Sequence, residues 1–283
     1  MKAQKRVAAI HDISCFGKCS LTVALPIISA AGIEVPVIPT AVLSTHTGGF
    51  EGYTYRDLTD DIMPIVEHWE SLGLGFDALY TGFLGSFAQI RIVEEIFERL
   101  GGEDAKVFVD PVMADNGKLY GIFPADFPEG MRRLCSRADV IMPNITEAVL
   151  MTGGVYEEGP YTEEYVEGML ERLAAIGAEE VVLTGVHFTD DRLGAASFDA
   201  AGDVRYAFAD RVPGYYHGTG DVFGSALVGA AVNGLPLSRA VEIAVDFTAG
   251  SIARTHAAGT DVRFGVDFES GIPGYVRALG LKG

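Results

Sequence analysis

The string His217-Gly218-Thr219-Gly220-Asp221-Val222-Phe223-Gly224-Ser225 is where residue type and spacing point most directly to chemistry. Small residues precede an acid, and an apolar helix follows through Val222, Phe223, Ala226, Leu227 and Ala230. Glycines at 218 and 220 permit positive φ and let a ligand approach the backbone closely. The first amides of a helix lack partners and point outward, which makes an anion site. An acid is out of place in a simple anion cradle. It makes sense if its carboxylate takes the proton from an attacking hydroxyl while the amides stabilise charge on a phosphoryl group in transfer. The plainer alternative is an Asp at a helix start, with glycines that only loosen the turn.

Such a site needs a frame to hold it. Short apolar, β-rich runs predict strands over residues 6–10, 35–42, 78–80, 106–109, 140–142 and 181–183. Two more, 195–198 and 204–209, flank Asp199-Ala200-Ala201-Gly202-Asp203, which reads as a hairpin turn. Helical spacing covers 162–175, through Tyr165, Val166, Met169, Leu170 and Leu173, and 87–100, through Ile90, Val93, Ile96 and Phe97. Further helices are predicted over 20–31, 58–72, 221–232 and 238–256. This alternation predicts a mostly parallel sheet covered by helices on both faces, with 1–283 as one domain. In such sheets ligands bind outside the carboxyl ends of the strands. The polar residues there are His11-Asp12, Ser44 to Thr47, Thr81, Asp110, Asn144 and Thr184.

Charge narrows the partners. With 39 acidic against 21 basic residues the net charge is −18, a surface that repels nucleic acid and anionic lipid. An anionic small molecule is still admissible, because helix-start amides bind phosphate inside a negative protein. Cys15, Cys19 and Cys135 are too few for a disulfide framework, and Cys15 and Cys19 lack a second ligand pair for zinc. The first two are expected to be small apolar fillers. After Lys2, Lys5 and Arg6 the apolar run 7–10 stops at His11-Asp12, too short for a signal-peptide core. No apolar stretch is long enough to span a bilayer. The expectation is a cytoplasmic protein without nucleic acid or membrane partners.

Gly218-Thr219-Gly220-Asp221 resembles the signature of the ribokinase-like superfamily, and Asp110-Pro111-Val112 and Asn144-Ile145-Thr146-Glu147 precede it in that superfamily's order. Ser44-Thr45-His46-Thr47-Gly48 resembles the substrate loop of pyridoxal kinases. The resemblance runs from about Val7 to the helix predicted over 238–256. It implies a three-layer ribokinase-like α/β fold. It also implies a kinase that uses ATP and Mg²⁺, with a monovalent cation such as K⁺ as a further option, to phosphorylate the 5′-hydroxymethyl group of a B6 vitamer. A homodimer is implied as well.

The resemblance also implies roles. Asp221 is the catalytic base, and the amides of Gly218, Thr219 and Gly220 form the anion hole. Asp110, Asn144 and Glu147 place magnesium and phosphate, with Asp110 and Glu147 on the metal side; Mg²⁺ is often held through only one or two carboxylates. Read without the resemblance, Asp110 is a strand-end turn, and Asn144 with Glu147 is a helix cap. The stretch Asp115-Asn116-Gly117-Lys118-Leu119-Tyr120-Gly121 is a flap over ATP and substrate, with Asp115 near the phosphates and Tyr120 near the substrate, or else an ordinary surface loop. Thr184 falls where the superfamily contacts nucleotide phosphate. Thr47, beside His46, matches the threonine that hydrogen-bonds the pyridine substituents. Phe83 matches an aromatic near the ring, or is plain core.

One position departs from the pattern. Pyridoxal kinases carry a Ser after the first strand where this chain has Asp12, which changes the protonation the site prefers. Hydroxymethylpyrimidine kinase, another small-molecule kinase of the superfamily, and a non-catalytic B6 binder are the alternatives. Phe16-Gly17-Lys18-Cys19-Ser20 only imitates the end of a Walker A loop. The earlier glycine would have to be Asp12, and Cys19 stands where the hydroxyl residue belongs.

Overall fold

The computed structural model describes residues 4–102 and 105–281. Lys2, part of the amino-terminal basic cluster, lies outside them. The chain opens with β1 (Val7–Ser14), α1 (Leu21–Ala30), β2 (Val37–Leu43), β3 (Tyr55–Asp57), α2 (Thr59–Ser71), β4 (Ala78–Thr81) and α3 (Phe87–Leu100). It continues through β5 (Lys106–Val109), the short pair β6 (Ala114–Asp115) and β7 (Lys118–Leu119), α4 (Phe127–Cys135), β8 (Val140–Ile141), α5 (Ile145–Thr152) and α6 (Glu163–Ala174). Then come β9 (Glu180–Val186), β10 (Arg192–Phe198), β11 (Val204–Asp210), α7 (Thr219–Val232), α8 (Leu237–Ala258) and α9 (Ile272–Ala278).

Nine strands form one sheet in the order β11-β10-β9-β8-β5-β4-β1-β2-β3. The run from β9 to β2 is parallel; β10, β11 and β3 are antiparallel additions at the two ends. The reason is visible in strand alternation. Ala8, Ile10, Leu79, Val107, Val109, Ile141, Val181 and Leu183 face one core, with α2 to α6. Val7, Ala78, Tyr80, Phe108, Val140 and Val182 face the other, with α1, α7, α8 and α9. Strands buried on both sides can be apolar throughout, which is why short continuous runs marked them. The result is the expected ribokinase-like three-layer α/β arrangement, with helices on both faces of a mostly parallel sheet.

Several boundaries differ from the sequence expectation. β1 does not stop at Ile10 but runs to Ser14, because β2 pairs with it through Leu43. His11 and Asp12 therefore lie inside a central strand. β3 is three exposed residues with no apolar period to betray it. α4 went unpredicted, although Phe127, Met131, Leu134 and Cys135 make a buried stripe closed by Arg132 and Arg133. Cys19 and Cys135 are buried, but Cys15 is exposed and fills no core. The 199–203 turn is as expected, with Asp199 Oδ1 accepting from the amides of Ala201 and Asp203.

The contact between α7 and the sheet is unusually close. A Cβ on Gly224 would lie 2.4 Å from the hydroxyl of Tyr80, which is fully buried on β4 and, among the described residues, has no hydrogen-bond partner. Gly224→Ala should therefore cost about 1–3 kcal/mol by overpacking. Tyr80→Phe, which deletes an unpartnered hydroxyl, should be close to neutral and should recover most of that loss in the double variant. Urea denaturation of the three proteins reads this directly; a double variant no more stable than Gly224→Ala alone would contradict the packing argument.

Candidate active site

β1 feeds α1 on one face of the sheet and β4 feeds α3 on the other, so their carboxyl ends open a crevice between them. Asp12, Thr81 and Gly82 lie at its floor, Asp110 follows β5, Asn144 follows β8, and the start of α7 closes one side.

α7 begins at Thr219, with Gly218 in the left-handed region at φ 76°. No other residue fits there, since a Cβ would sit 2.2 Å from the Lys18 carbonyl oxygen. The helical ladder starts with Val222 N–H donating to the Gly218 carbonyl at 3.1 Å. The amides of Thr219, Gly220 and Asp221 precede it and remain available to an anion. Gly220 is exposed and Asp221 is half-buried beside it. Burial pushes the Asp221 carboxyl up to about 7; the facing Ser20 amide draws it down, and the Asp12 charge raises it further. A carboxyl that titrates near neutrality suits a base.

Three more acids surround this one. Asp110 (8% exposed) is raised well above the ordinary carboxylate range by burial, then by Glu147 and Asp221. Among the described residues no donor binds its carboxylate. Glu147 (3% exposed) forms a complete capping box with Asn144 at the start of α5. Its Oε2 accepts from Asn144 N–H at 2.9 Å, and its Oε1 accepts from Met113 N–H at 3.0 Å. Burial nevertheless raises it to about 8 against those bonds. Among the described residues no three His, Cys, Asp or Glu side chains form a metal cluster. An orphaned buried carboxyl between two others nonetheless fits a divalent cation completed by water and phosphate oxygens.

The cap also anchors the flap. Asn144 Nδ2–H donates to the Ala114 carbonyl at 2.8 Å, and Gly117 N–H donates to Thr146 Oγ1 at 2.9 Å. β6 and β7 pair around Asn116 and Gly117, both at positive φ, an Asn-Gly hairpin turn. Asp115 accepts from the Tyr215 hydroxyl at 2.6 Å. The half-exposed Tyr120 lies in the field of Glu147, Asp115, Tyr215 and Asp110, and burial drives its hydroxyl pKa far up. Thr184 bridges to Asn144 and turns its hydroxyl to the Pro143 carbonyl, 3.4 Å away.

On the acceptor side, His46 is buried and both ring nitrogens are occupied. Nε2 lies 2.7 Å from the Arg263 carbonyl and Nδ1 accepts from Gly48 N–H at 3.1 Å, which fixes the Nε2–H tautomer. Burial lowers its pKa, so the ring is neutral at pH 7. His46 can thus offer a ligand its face but no hydrogen bond. Thr47 is exposed, and Phe83 is half-buried with its ring 5.7 Å from Phe123. Asp12 (4% exposed) accepts from the hydroxyls of Ser14 at 3.0 Å and Ser20. Burial raises its pKa.

The sequence reading missed several neighbours. Tyr215 and His217 rings meet edge-on at 5.1 Å, and His217 lies 5.1 Å from His46. Both flank the glycine motif, the one signal that could have found them. Ser20 gave none.

The sequence pattern of the phosphomethylpyrimidine kinase family matches residues 34–264. The chain belongs to this family. A Bacteroides thetaiotaomicron protein provisionally named a phosphomethylpyrimidine kinase, solved with pyridoxal, superimposes with a TM-score of 0.91 at 35% identity, covering 96% of each chain. Pyridoxal kinase from Lactobacillus plantarum gives 0.87 at 35% identity, over 97% of this chain and 98% of that one. A Bordetella pertussis pyridoxine/pyridoxal/pyridoxamine kinase is 27% identical over 272 residues, 89% of this chain and 90% of its own. In this phosphomethylpyrimidine kinase family member, the glycine turn, the capping box and the flap all converge on the same strand ends.

The acids make stability depend on pH. Asp221 and Glu147 titrate near 7 and 8 when folded, against 3.8 and 4.5 for the free groups, so the native state binds more protons between those values. Their contribution to stability is complete below the unfolded values and lost as pH rises through the folded ones. The melting temperature without divalent cation should therefore fall from pH 6 to pH 8.5. Asp221→Asn should flatten that fall and melt higher than the parent at pH 8.5; an unchanged slope would mean that the carboxyl is not strained by its surroundings.

Proposed function

We propose that this chain, acting as one kinase domain, transfers the γ-phosphoryl group of ATP to the 5′-hydroxymethyl group of pyridoxal, pyridoxine or pyridoxamine. One observation carries the reading: a carboxyl titrating near 7 stands at the third position of a helix whose first amides face the same crevice. The 35% identity to a pyridoxal kinase and to a structure holding pyridoxal names the acceptor.

Asp221, ionised, takes the proton of the acceptor hydroxyl as its oxygen attacks phosphorus. The amides of Gly218, Thr219, Gly220 and Asp221 then meet the charge on the transferring group, already oriented before the reaction begins. Mg²⁺ bound at Asp110, with Glu147 behind it, would offset the charge of the phosphates. The flap, tied to α5 through Thr146 and Asn144, excludes water from the transferred group. Phe83 and the face of His46 hold a flat ring, while Thr47 hydrogen-bonds its substituents. The same reading takes the protein as a cytoplasmic homodimer, with K⁺ as a further cation.

Hydroxymethylpyrimidine is the second acceptor to consider, favoured by the family pattern and by Asp12 in place of the pyridoxal kinase Ser. The kcat/KM values for the three vitamers, hydroxymethylpyrimidine and ribose, followed as ADP release, decide between them. Pyridoxal should lead; a preference for the pyrimidine would overturn the assignment. Asp221→Asn should lose about 10²–10⁴-fold in kcat while ATP still protects it against heat. Near-parental turnover would remove Asp221 as the base.

A further inference from the structure

Residues 17–20, between β1 and α1, cross the start of α7. Three of the four have positive φ: Gly17 at 108°, Lys18 at 50° and Ser20 at 55°. The Lys18 carbonyl is the atom against which Gly218 packs, and Cys19 Sγ lies 3.3 Å from where a Cβ on Gly218 would be. The loop and the glycine turn are therefore in direct contact.

Ser20 is the exceptional member. Its φ of 55° and ψ of −130° lie where side-chain-bearing residues are rarely found. Such a conformation persists only when the surroundings hold it, and held outliers gather at functional sites. Ser20 stands at the N-cap of α1, and its carbonyl accepts from Val23 and Ala24 at 3.0 and 2.9 Å. Its hydroxyl nevertheless does not cap the helix. That hydroxyl donates to Asp12 Oδ1, both groups being buried, and the other Asp12 oxygen is held by Ser14. A bridge between Ile13 and Ser20 fixes the same segment to β1. Next to it, Lys18 and Cys19 back onto Gly218, three residues before Asp221, and the Ser20 amide draws the Asp221 carboxyl pKa down. One residue thus ties Asp12, through its hydroxyl, to the loop that backs the turn bearing Asp221.

We infer that Ser20 is a positioning residue for the reaction: clamped by Asp12, it holds the 17–20 loop against the glycine turn and so fixes the Asp221 carboxylate toward the acceptor hydroxyl. The inference rests on the reading of Asp221 as the base. It gives Asp12 a task as well. With both oxygens engaged by serines, Asp12 anchors the loop that orients the base, and this accounts for an acid at a position where pyridoxal kinases carry Ser. Losing the Ser20 hydroxyl leaves the strained backbone without its clamp, so the loop no longer holds the glycine turn in place.

The test compares Ser20→Ala, Ser20→Gly and Asp12→Asn, each alone, and Ser20→Ala combined with Asp221→Asn. Turnover of pyridoxal is followed at saturating ATP with the full chain. Ser20→Ala should lose roughly 10- to 100-fold in kcat, the scale of a small misplacement of a reacting group, with KM for ATP and pyridoxal within about twofold. Ser20→Gly can adopt the backbone conformation without strain and so folds even if the alanine variant does not; it should show the same loss. Asp12→Asn keeps an oxygen for the Ser20 hydroxyl and should lose less. The Ser20→Ala/Asp221→Asn protein should be no slower than Asp221→Asn, because the hydroxyl acts through the carboxylate. Parental kcat in Ser20→Gly, or losses that multiply in the double variant, would overturn the inference. Fast turnover by Asp221→Asn alone would instead remove the base assignment beneath it, a distinct result.

Discussion

Four carboxyl groups gather around the strand ends, and among the described residues neither lysine nor arginine figures among the groups that shift them. Their burial is the constraint around which the site is arranged, since a charge removed from water needs partners of equal quality. The fold supplies dipoles in place of cations. Asp12 has two serine hydroxyls, Glu147 has the amides of Asn144 and Met113, and the Ser20 amide draws the Asp221 pKa down. Asp110 has no comparable donor among the described residues. That asymmetry sets groups of the same chemical type apart: Asp12 and Glu147 are held by donors, Asp221 is raised to about 7, and Asp110 is left without a donor among the described residues.

The sheet is what makes such crowding tolerable. Nine strands with an apolar layer on each face fix the strand ends rigidly, and all four acids depend on that rigidity. A looser frame would let the like charges drift apart into water and lose their raised pKa values. Glu147 illustrates the dependence. Its side chain closes the start of α5, and through Asn144 and Thr146 the same helix start carries the flap, so the lid and the acid site share one foundation.

Much of this could be read from residue order. The strand runs, α3, α6 and α7, the glycine turn and the Asn-x-x-Glu cap each have a local cause that a sequence expresses: a period, a cap or a punctuating glycine. What escaped depends on distant partners. β1 continues past Ile10 because β2 lies alongside it, and Ser20 meets Asp12, and its loop the glycine turn, only after β1, α1 and α7 have packed. α4 was legible in principle, but its stripe is only nine residues long and sits between a flap and a strand of two residues. His46 lies in the expected substrate loop, but its sequence gives no sign that Arg263, 217 positions away, occupies one of its nitrogens.

The glycines at 218 and 224 lie against a carbonyl and a phenol with no space for one further carbon. For anyone seeking a different acceptor preference by laboratory evolution, these two positions are dead ground. Libraries randomised there would return mostly destabilised proteins, whatever substrate is screened. Variation is better directed at Thr47, Phe83 and Tyr120, whose side chains retain open surface and whose backbones adopt ordinary conformations.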